Sequence, residues 1–341
     1  MIWEKILGFL SKDLAMDLGT ANTLIYQKGK GIVLNEPSVV ALTADTRKVV
    51  ALGKEAKEFL GRTPAKIDAV RPMKDGVIAD FNVTQEMIKY FLLKVQGRRS
   101  FIRPRIVIGV PTGITQVEKR AVIEAAQMSG VREVHLIDEP MAAAIGAGLN
   151  IHEPFGRMIV DIGGGTTEVA VISLSAIAYA ESVRVAGDEA NEAIMRFMQK
   201  KYQLLIGENM AEDAKITIGN AFPQNTNATY DMRGKDITSG IPKIVTVTET
   251  DIRQALAEPT QVIIDVILRA LEKTSPELSA DILDGGITLA GGGALLKGLP
   301  ELIHQTTHLK VNLTDDPLAS VALGTGIAME SLSVYRKVFV G

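Results

Sequence analysis

Short apolar runs broken by glycine-containing turns set the pattern of this chain. Leu14-Ala15-Met16-Asp17-Leu18 is followed by Gly19-Thr20-Ala21-Asn22 and then by Thr23-Leu24-Ile25-Tyr26, which predicts strand, turn and strand. The pattern returns where Met158-Ile159-Val160-Asp161-Ile162 leads through Gly163-Gly164-Gly165-Thr166 into Thr167-Glu168-Val169-Ala170-Val171. Superposing Asp17 on Asp161 also superposes Gly19 on Gly163 and Thr23 on Thr167, so the copies agree in chemistry and in their apolar flanks. Two similar α/β halves are expected, each opened by one hairpin.

Elsewhere the pattern alternates strand and helix. A helical stretch from Phe91 ends at Gly97, and strand Ile106 to Val110 passes through Pro111-Thr112 into another helix. Strand Val134 to Ile137 meets Asp138-Glu139-Pro140, where Pro140 suits the first position of the small-residue helix Met141 to Gly148. Such a helix can pack closely, as at an interdomain hinge. A third glycine run, Gly291-Gly292-Gly293 after Ile287 to Ala290, reads as strand, turn and helix. Gly31 to Ala79 is strand-rich; Asn191 to Thr250 is helical, then polar around Gln224 to Asn227, then strand-like at Lys243 to Thr248. The expected division is a tail at 1–13, a first domain at 14–147 plus 317–341 with an insertion at about 32–79, and a second domain at 148–316 with an insertion at about 188–245.

The tail is amphipathic. At about 100° per residue, Ile2, Trp3, Ile6, Leu7, Phe9 and Leu10 fall within an arc of roughly 160°, opposite Glu4, Lys5, Ser11 and Lys12. So short a helix needs a surface to fold against, and the chain's one Trp, a Phe and polar-face Lys favour a lipid interface. Arg98, Arg99 and Arg103 around Phe101 and Ile102 suit an anionic lipid surface as well as a solvated turn.

A chain of 341 residues is long enough for two domains and a substantial core. Its net charge of -3 gives no general attraction to nucleic acid, and without Cys it has no disulfide framework. No apolar run reaches a membrane span, no signal peptide is evident, and Ile2 and the absence of Cys exclude myristoylation and prenylation, so a cytoplasmic protein is expected.

The repeated turns carry the candidate chemistry. Glycine exposes backbone N–H groups and small hydroxyl residues add donors, so each loop can cradle phosphate. Asp17 and Asp161 beside phosphate require a cation between them, most simply Mg2+ held partly through water. Neither a P-loop nor a dinucleotide fingerprint is present, because apolar strands flank both turns. A carboxylate at Asp138-Glu139 is placed either to activate water or to cap the following helix. His304 and His308 lack a third ligand and read as surface residues.

These three glycine motifs resemble the actin, sugar kinase and heat-shock chaperone ATPase superfamily. Asp17 to Thr23, Leu34 to Val40, Arg71 to Phe81 and Glu139 to Ala144 are similar in particular to the bacterial actins, and the likeness runs essentially from end to end. The resemblance implies an actin-like ATPase fold of two duplicated α/β domains, each with an inserted subdomain, and ATP in the cleft between them. It implies a membrane-associated filament that directs cell-wall synthesis and maintains rod shape, peripherally bound to the inner membrane. Its implied partners are further copies of itself and membrane proteins of the elongation machinery such as RodZ, MreC and MreD. Position by position, Asp17 and Asp161 would hold the Mg2+ shell, and Thr20, Ala21, Asn22 and Gly163 to Thr166 the phosphates. Glu139 would polarise the attacking water with Thr166. Gly187, Glu212, Lys215, Gly291, Gly292 and Gly293 would surround the nucleoside. Asp138 departs from the family, which more often has Glu there. A sugar kinase would need a phosphoryl-accepting pocket that nothing marks; a chaperone ATPase would need a substrate domain, whereas 15 residues follow Gly326. No residue separates ATP from GTP.

Overall fold

The computed structural model describes residues 13–62, 66–97, 103–223 and 227–340. The candidate membrane residues Ile2, Trp3, Ile6, Leu7, Phe9, Leu10, Phe101 and Ile102 lie outside them. No helix among the described residues is long and apolar enough to cross a membrane.

The first half begins with the meander β1 (Leu14–Leu18), β2 (Asn22–Gln27) and β3 (Gly31–Pro37). A small antiparallel sheet follows, β4 (Val40–Thr43), β5 (Val49–Leu52) and β6 (Ile67–Val70), with the short helix α1 (Lys54–Lys57) and the two-stranded β7 (Met73–Lys74) and β8 (Val77–Ile78). Helix α2 (Phe81–Gln96), β9 (Arg105–Val110), α3 (Gln116–Met128) and β10 (Glu133–Asp138) complete the main sheet, and α4 (Glu139–Gly146) leads out of it.

The second half repeats the plan. A meander β11 (Arg157–Ile162), β12 (Thr167–Ser173) and β13 (Ala176–Val183) precedes α5 (Gly187–Tyr202), β14 (Leu204–Leu205), α6 (Glu208–Ile218) and the hairpin β15 (Thr229–Asp236) and β16 (Pro242–Thr248). Then come α7 (Glu249–Lys273), α8 (Pro276–Gly285), β17 (Ile287–Ala290), α9 (Leu299–Thr307), β18 (Val311–Leu313) and α10 (Ser320–Glu330). The two main sheets run β3-β2-β1-β9-β10 and β13-β12-β11-β17-β18. In both, the meander is antiparallel and the remaining strands are parallel to its first strand, so the duplication seen in the turns extends through the topology.

Three details differ from the sequence expectation. Strand β3 is the edge of the main sheet, and the insert's own sheet starts at Val40. After Gly291 the chain makes a 3-10 turn at Gly292–Leu295, and the α-helix begins only at Leu299. Pro140 occupies the second position of α4, and Asp138 precedes the helix without a side-chain cap.

The sheets share one core cluster. Ala15, Val107 and Ile137 from the first sheet and Ile159, Ala170 and Ile172 from the second pack with Met141 to Ile145 of α4 and Val321, Ala328 and Met329 of α10. Small residues let the two helices cross backbone to backbone. A Cβ on Gly146 would sit 1.9 Å from the Ser320 carbonyl oxygen, and one on Gly324 would sit 1.8 Å from that of Ala142. The chain end closes on the first sheet, where Val340 donates its N–H to the Leu136 carbonyl.

Candidate functional site

The two repeated turns meet at the cleft floor between the sheets. A Cβ on Gly164 would lie 2.7 Å from the Ala21 Cβ, and one on Gly165 would lie 2.8 Å from Thr20 Oγ1 and 3.1 Å from Asp75 Cα. Any side chain at either glycine would push the loops apart. Repeated threonines anchor them: buried Thr23 shares a hydrogen bond with Ser38, which donates to the Gly19 carbonyl, and buried Thr167 donates to the Val185 carbonyl. The Gly76 N–H donates to Thr20 Oγ1 at 3.0 Å, so the β7–β8 turn forms a third wall.

Five carboxylates converge beneath this floor. Burial and the nearby Asp161 carboxylate push Asp17 up to about 7, and burial alone raises Asp161 to about 7. Glu139 is driven well above the usual carboxylate range by burial and then by Glu168, Asp17, Asp161 and Asp138. Burial pushes Glu168 up to about 8, against the Thr112 N–H that stabilises its charge, and burial also raises Asp138, against Lys119. Charges so crowded and desolvated resist ionising together unless a cation lies among them. No three His, Asp or Glu of the described residues form a cluster able to hold an ion alone. Asp17 and Asp161 would thus hold Mg2+ only together with water and phosphate oxygens.

The rest of the expected nucleotide site comes together less completely. Asn22 opens β2 beside Ala21. The Gly163 N–H closes its own turn onto the Thr166 carbonyl, and the first two N–H groups of α5, from Gly187 and Asp188, donate to the Gly163 and Gly164 carbonyls. Half-buried Lys215 donates to the Gly187 carbonyl at 2.7 Å, with its proton affinity lowered by desolvation. Glu212 instead reaches across the cleft to Lys57 at 2.9 Å. Gly291 and Gly293 press on Ile162, where added Cβ atoms would meet its carbonyl oxygen and Cγ2 at 2.3 Å, and Gly292 faces Leu318. The glycine triplet thus has a packing reason of its own. His304 hydrogen-bonds the Leu309 carbonyl and takes no part in the site.

Three features escaped the sequence reading. Arg71 pairs with Glu208 across the mouth of the cleft, parallel to Lys57 with Glu212. Gly76, at φ 76°, packs on Pro111 and Thr166. Glu168, a carboxylate inside an apolar strand, was visible in the sequence as an oddity.

Duplicated sheets, facing glycine turns and a sunken carboxylate cluster define a nucleotide-binding protein of the actin fold. The MreB/Mbl protein family model matches residues 11–337, and this chain belongs to that family. It is 50% identical over 338 residues to the cell shape-determining protein MreB of Escherichia coli K12, covering 97% of each chain. It is 48% identical over 327 residues to the cell shape-determining protein Mbl of Bacillus subtilis, covering 96% of this chain and 98% of that one. Among solved structures, MreB5 of Spiroplasma citri bound to AMPPNP superposes with a TM-score of 0.91 at 35% identity, covering 96% and 98% of the two chains. The MamK double helical filament shares the fold with a TM-score of 0.81 at 22% identity, over 93% and 99%.

Proposed function

We propose that this chain is an ATP-driven, actin-like filament protein that lies on the inner face of the cytoplasmic membrane, directs cell-wall synthesis and maintains rod shape. The observation that carries the hydrolytic part is Glu139, 8% exposed, at the start of α4 beneath two touching phosphate loops and beside Asp17 and Asp161. In this reading Thr20, Ala21, Asn22 and Gly163 to Thr166 hold the phosphates by backbone N–H and hydroxyl groups. Gly187, Glu212, Lys215 and Gly291 to Gly293 border the nucleoside. Asp17 and Asp161 would hold Mg2+ through its water shell, and the ion would supply positive charge against the phosphates. Glu139 polarises the attacking water, assisted by Thr166.

Hydrolysis then acts as a timer on the polymer: ATP bridges the domains and favours the closed state, and phosphate loss weakens that bias. The names of the relatives support the role in cell shape, and the MamK filament supports self-association. The tail at 1–13 and the segment carrying Phe101 and Ile102 are the proposed membrane contact, and RodZ, MreC and MreD are the proposed membrane partners. Electron microscopy with ATP and anionic liposomes tests the whole reading, with membrane-bound filaments expected and dispersed monomers refuting it. Glu139→Ala should slow phosphate release while retaining ATP binding; unchanged release removes Glu139 from the mechanism.

A further inference from the structure

The internal repeat singles out one residue. Superposing Asp17 on Asp161 places Leu24 on Glu168. In the first half this strand position carries an ordinary apolar residue, 4% exposed and packed on Ala319 and Ala322. In the second half it carries a carboxylate that is 1% exposed. The fold therefore does not need an acid there, and burying one costs several kcal/mol unless it is well partnered.

Glu168 is partnered by Ser182 on the adjacent strand of its own sheet and, across the domain boundary, by Thr112. Its Oε1 accepts the N–H of Thr112, from the β9–α3 loop of the first domain, at 2.8 Å. Its Oε2 has no hydrogen-bond partner among the described residues, and neither does the buried hydroxyl of Thr112. Register pairs Glu168 with Asp161 on the adjacent strand, so both carboxylates face the same side of the sheet. Neighbouring Pro111 lies against the Gly76 turn, and an added Cβ on Gly76 would be 2.5 Å from Pro111 Cγ and 3.4 Å from Thr166 Cγ2. The loop held by Glu168 is thus a wall of the space in front of Thr166.

We propose that Glu168 is a positioning residue for hydrolysis: by holding the Thr112 N–H it pins the Pro111-Thr112 loop of the first domain to the second, fixing Thr166 and Glu139 around one site. This rests on the hydrolytic reading above. The pin joins the two domains directly, so it links the reaction geometry to their relative placement. In this proposal Glu168 acts through the Pro111-Thr112 loop.

The test compares Glu168→Leu, which installs the residue of the other half, with Glu168→Gln, which keeps an acceptor oxygen without charge. Single-turnover phosphate release, binding of a fluorescent ATP analogue, thermal melting and hydrogen exchange at the Thr112 amide are read in each. Glu168→Leu should melt at or above the wild-type temperature and bind nucleotide within about threefold of wild type. Its Thr112 amide should exchange faster, and it should hydrolyse about 10- to 100-fold more slowly, as misplacement of reacting groups by about 1 Å does. Glu168→Gln should restore amide protection and most of the rate. Wild-type exchange and rate in Glu168→Leu overturn the proposal, as does parallel loss of binding and rate. A Glu168→Gln variant as slow as Glu168→Leu also overturns it, by assigning the effect to charge. A wild-type chain that releases no phosphate refutes the hydrolytic reading separately, while the amide measurement still decides whether Glu168 holds Thr112.

Discussion

Replacing Gly324 by Ala adds one methyl group at the tightest point of the molecule. Its Cβ would stand 1.8 Å from the Ala142 carbonyl oxygen, 2.6 Å from that carbonyl carbon and 2.8 Å from the Gly146 nitrogen. All three are helix backbone, so no side chain can swing aside. Ordinary contact distances of about 3.5 Å require α4 and α10 to separate by roughly 1.5 Å. Overpacking of this kind costs about 1–3 kcal/mol and more where backbone must move, and here the cluster joining both sheets opens with it. Alanine's better helix propensity offsets about 1 kcal/mol. A net loss of about 2 kcal/mol, the upper end of that range less the propensity gain, is expected, seen in a thermal melt as a fall of roughly 3 °C for a chain of this length. Nucleotide affinity should fall too, because the strands leading into both phosphate loops rest on these helices. A Gly324→Ala protein that melts at the wild-type temperature would refute the backbone crossing.

Arg71→Glu should repel Glu208 at the cleft mouth and speed release of a fluorescent nucleotide about two- to fivefold, matching the about 0.5–1 kcal/mol of a partly exposed ion pair, and adding Glu208→Arg should restore it. No change in either variant would remove the pair from gating. Burial favours protonation of Asp251, but the Lys201 ammonium and the Thr248 N–H and hydroxyl outweigh it and hold the carboxyl at about 2. This depressed value stabilises the fold above the unfolded value of 3.8, and the contribution disappears as pH falls towards 2. With Lys201 half exposed the contribution is about 1–2 kcal/mol; urea unfolding should show Asp251→Asn less stable by that amount at pH 6, the gap closing near pH 2–3, and a constant gap would exclude the linkage. Deleting residues 1–10 should abolish co-sedimentation with anionic liposomes, and persistent binding would move the membrane contact elsewhere.

What could be read from the sequence was local. Both hairpins, Glu139 and the hinge helix are each announced within a dozen consecutive residues by apolar flanks, glycine and small side chains. The latch was not legible: Lys57 with Glu212 and Arg71 with Glu208 join surface charges of two separate inserts, and a charge on an exposed face carries no signal of its distant partner. Strand β15 was missed because only Met232 of its eight residues is buried, leaving Tyr-Asp-Met-Arg-Gly-Lys-Asp to read as a polar loop. The α-helix placed directly after Gly293 failed because Gly291 and Gly293 are spent on contact with Ile162, which bends the chain into a 3-10 turn first. Glu168 stood in plain view, yet its meaning needed the partner in the other domain and the comparison with Leu24.

The crossing of α4 and α10 also sets how motion is transmitted. Helices that touch through bare backbone at Gly146 and Gly324 resist sliding between the domains, so any relative motion is expected to pivot about the crossing. The phosphate loops sit at the ends of the central strands, on a short arm from this fulcrum, and the inserts joined by the ion pairs stand beyond them on a longer one. A shift of a fraction of an ångström between the loops is therefore multiplied at the rim. In the proposed filament, a neighbouring subunit would sense a phosphate it never touches, as a change in the outline of the molecule rather than in its surface chemistry.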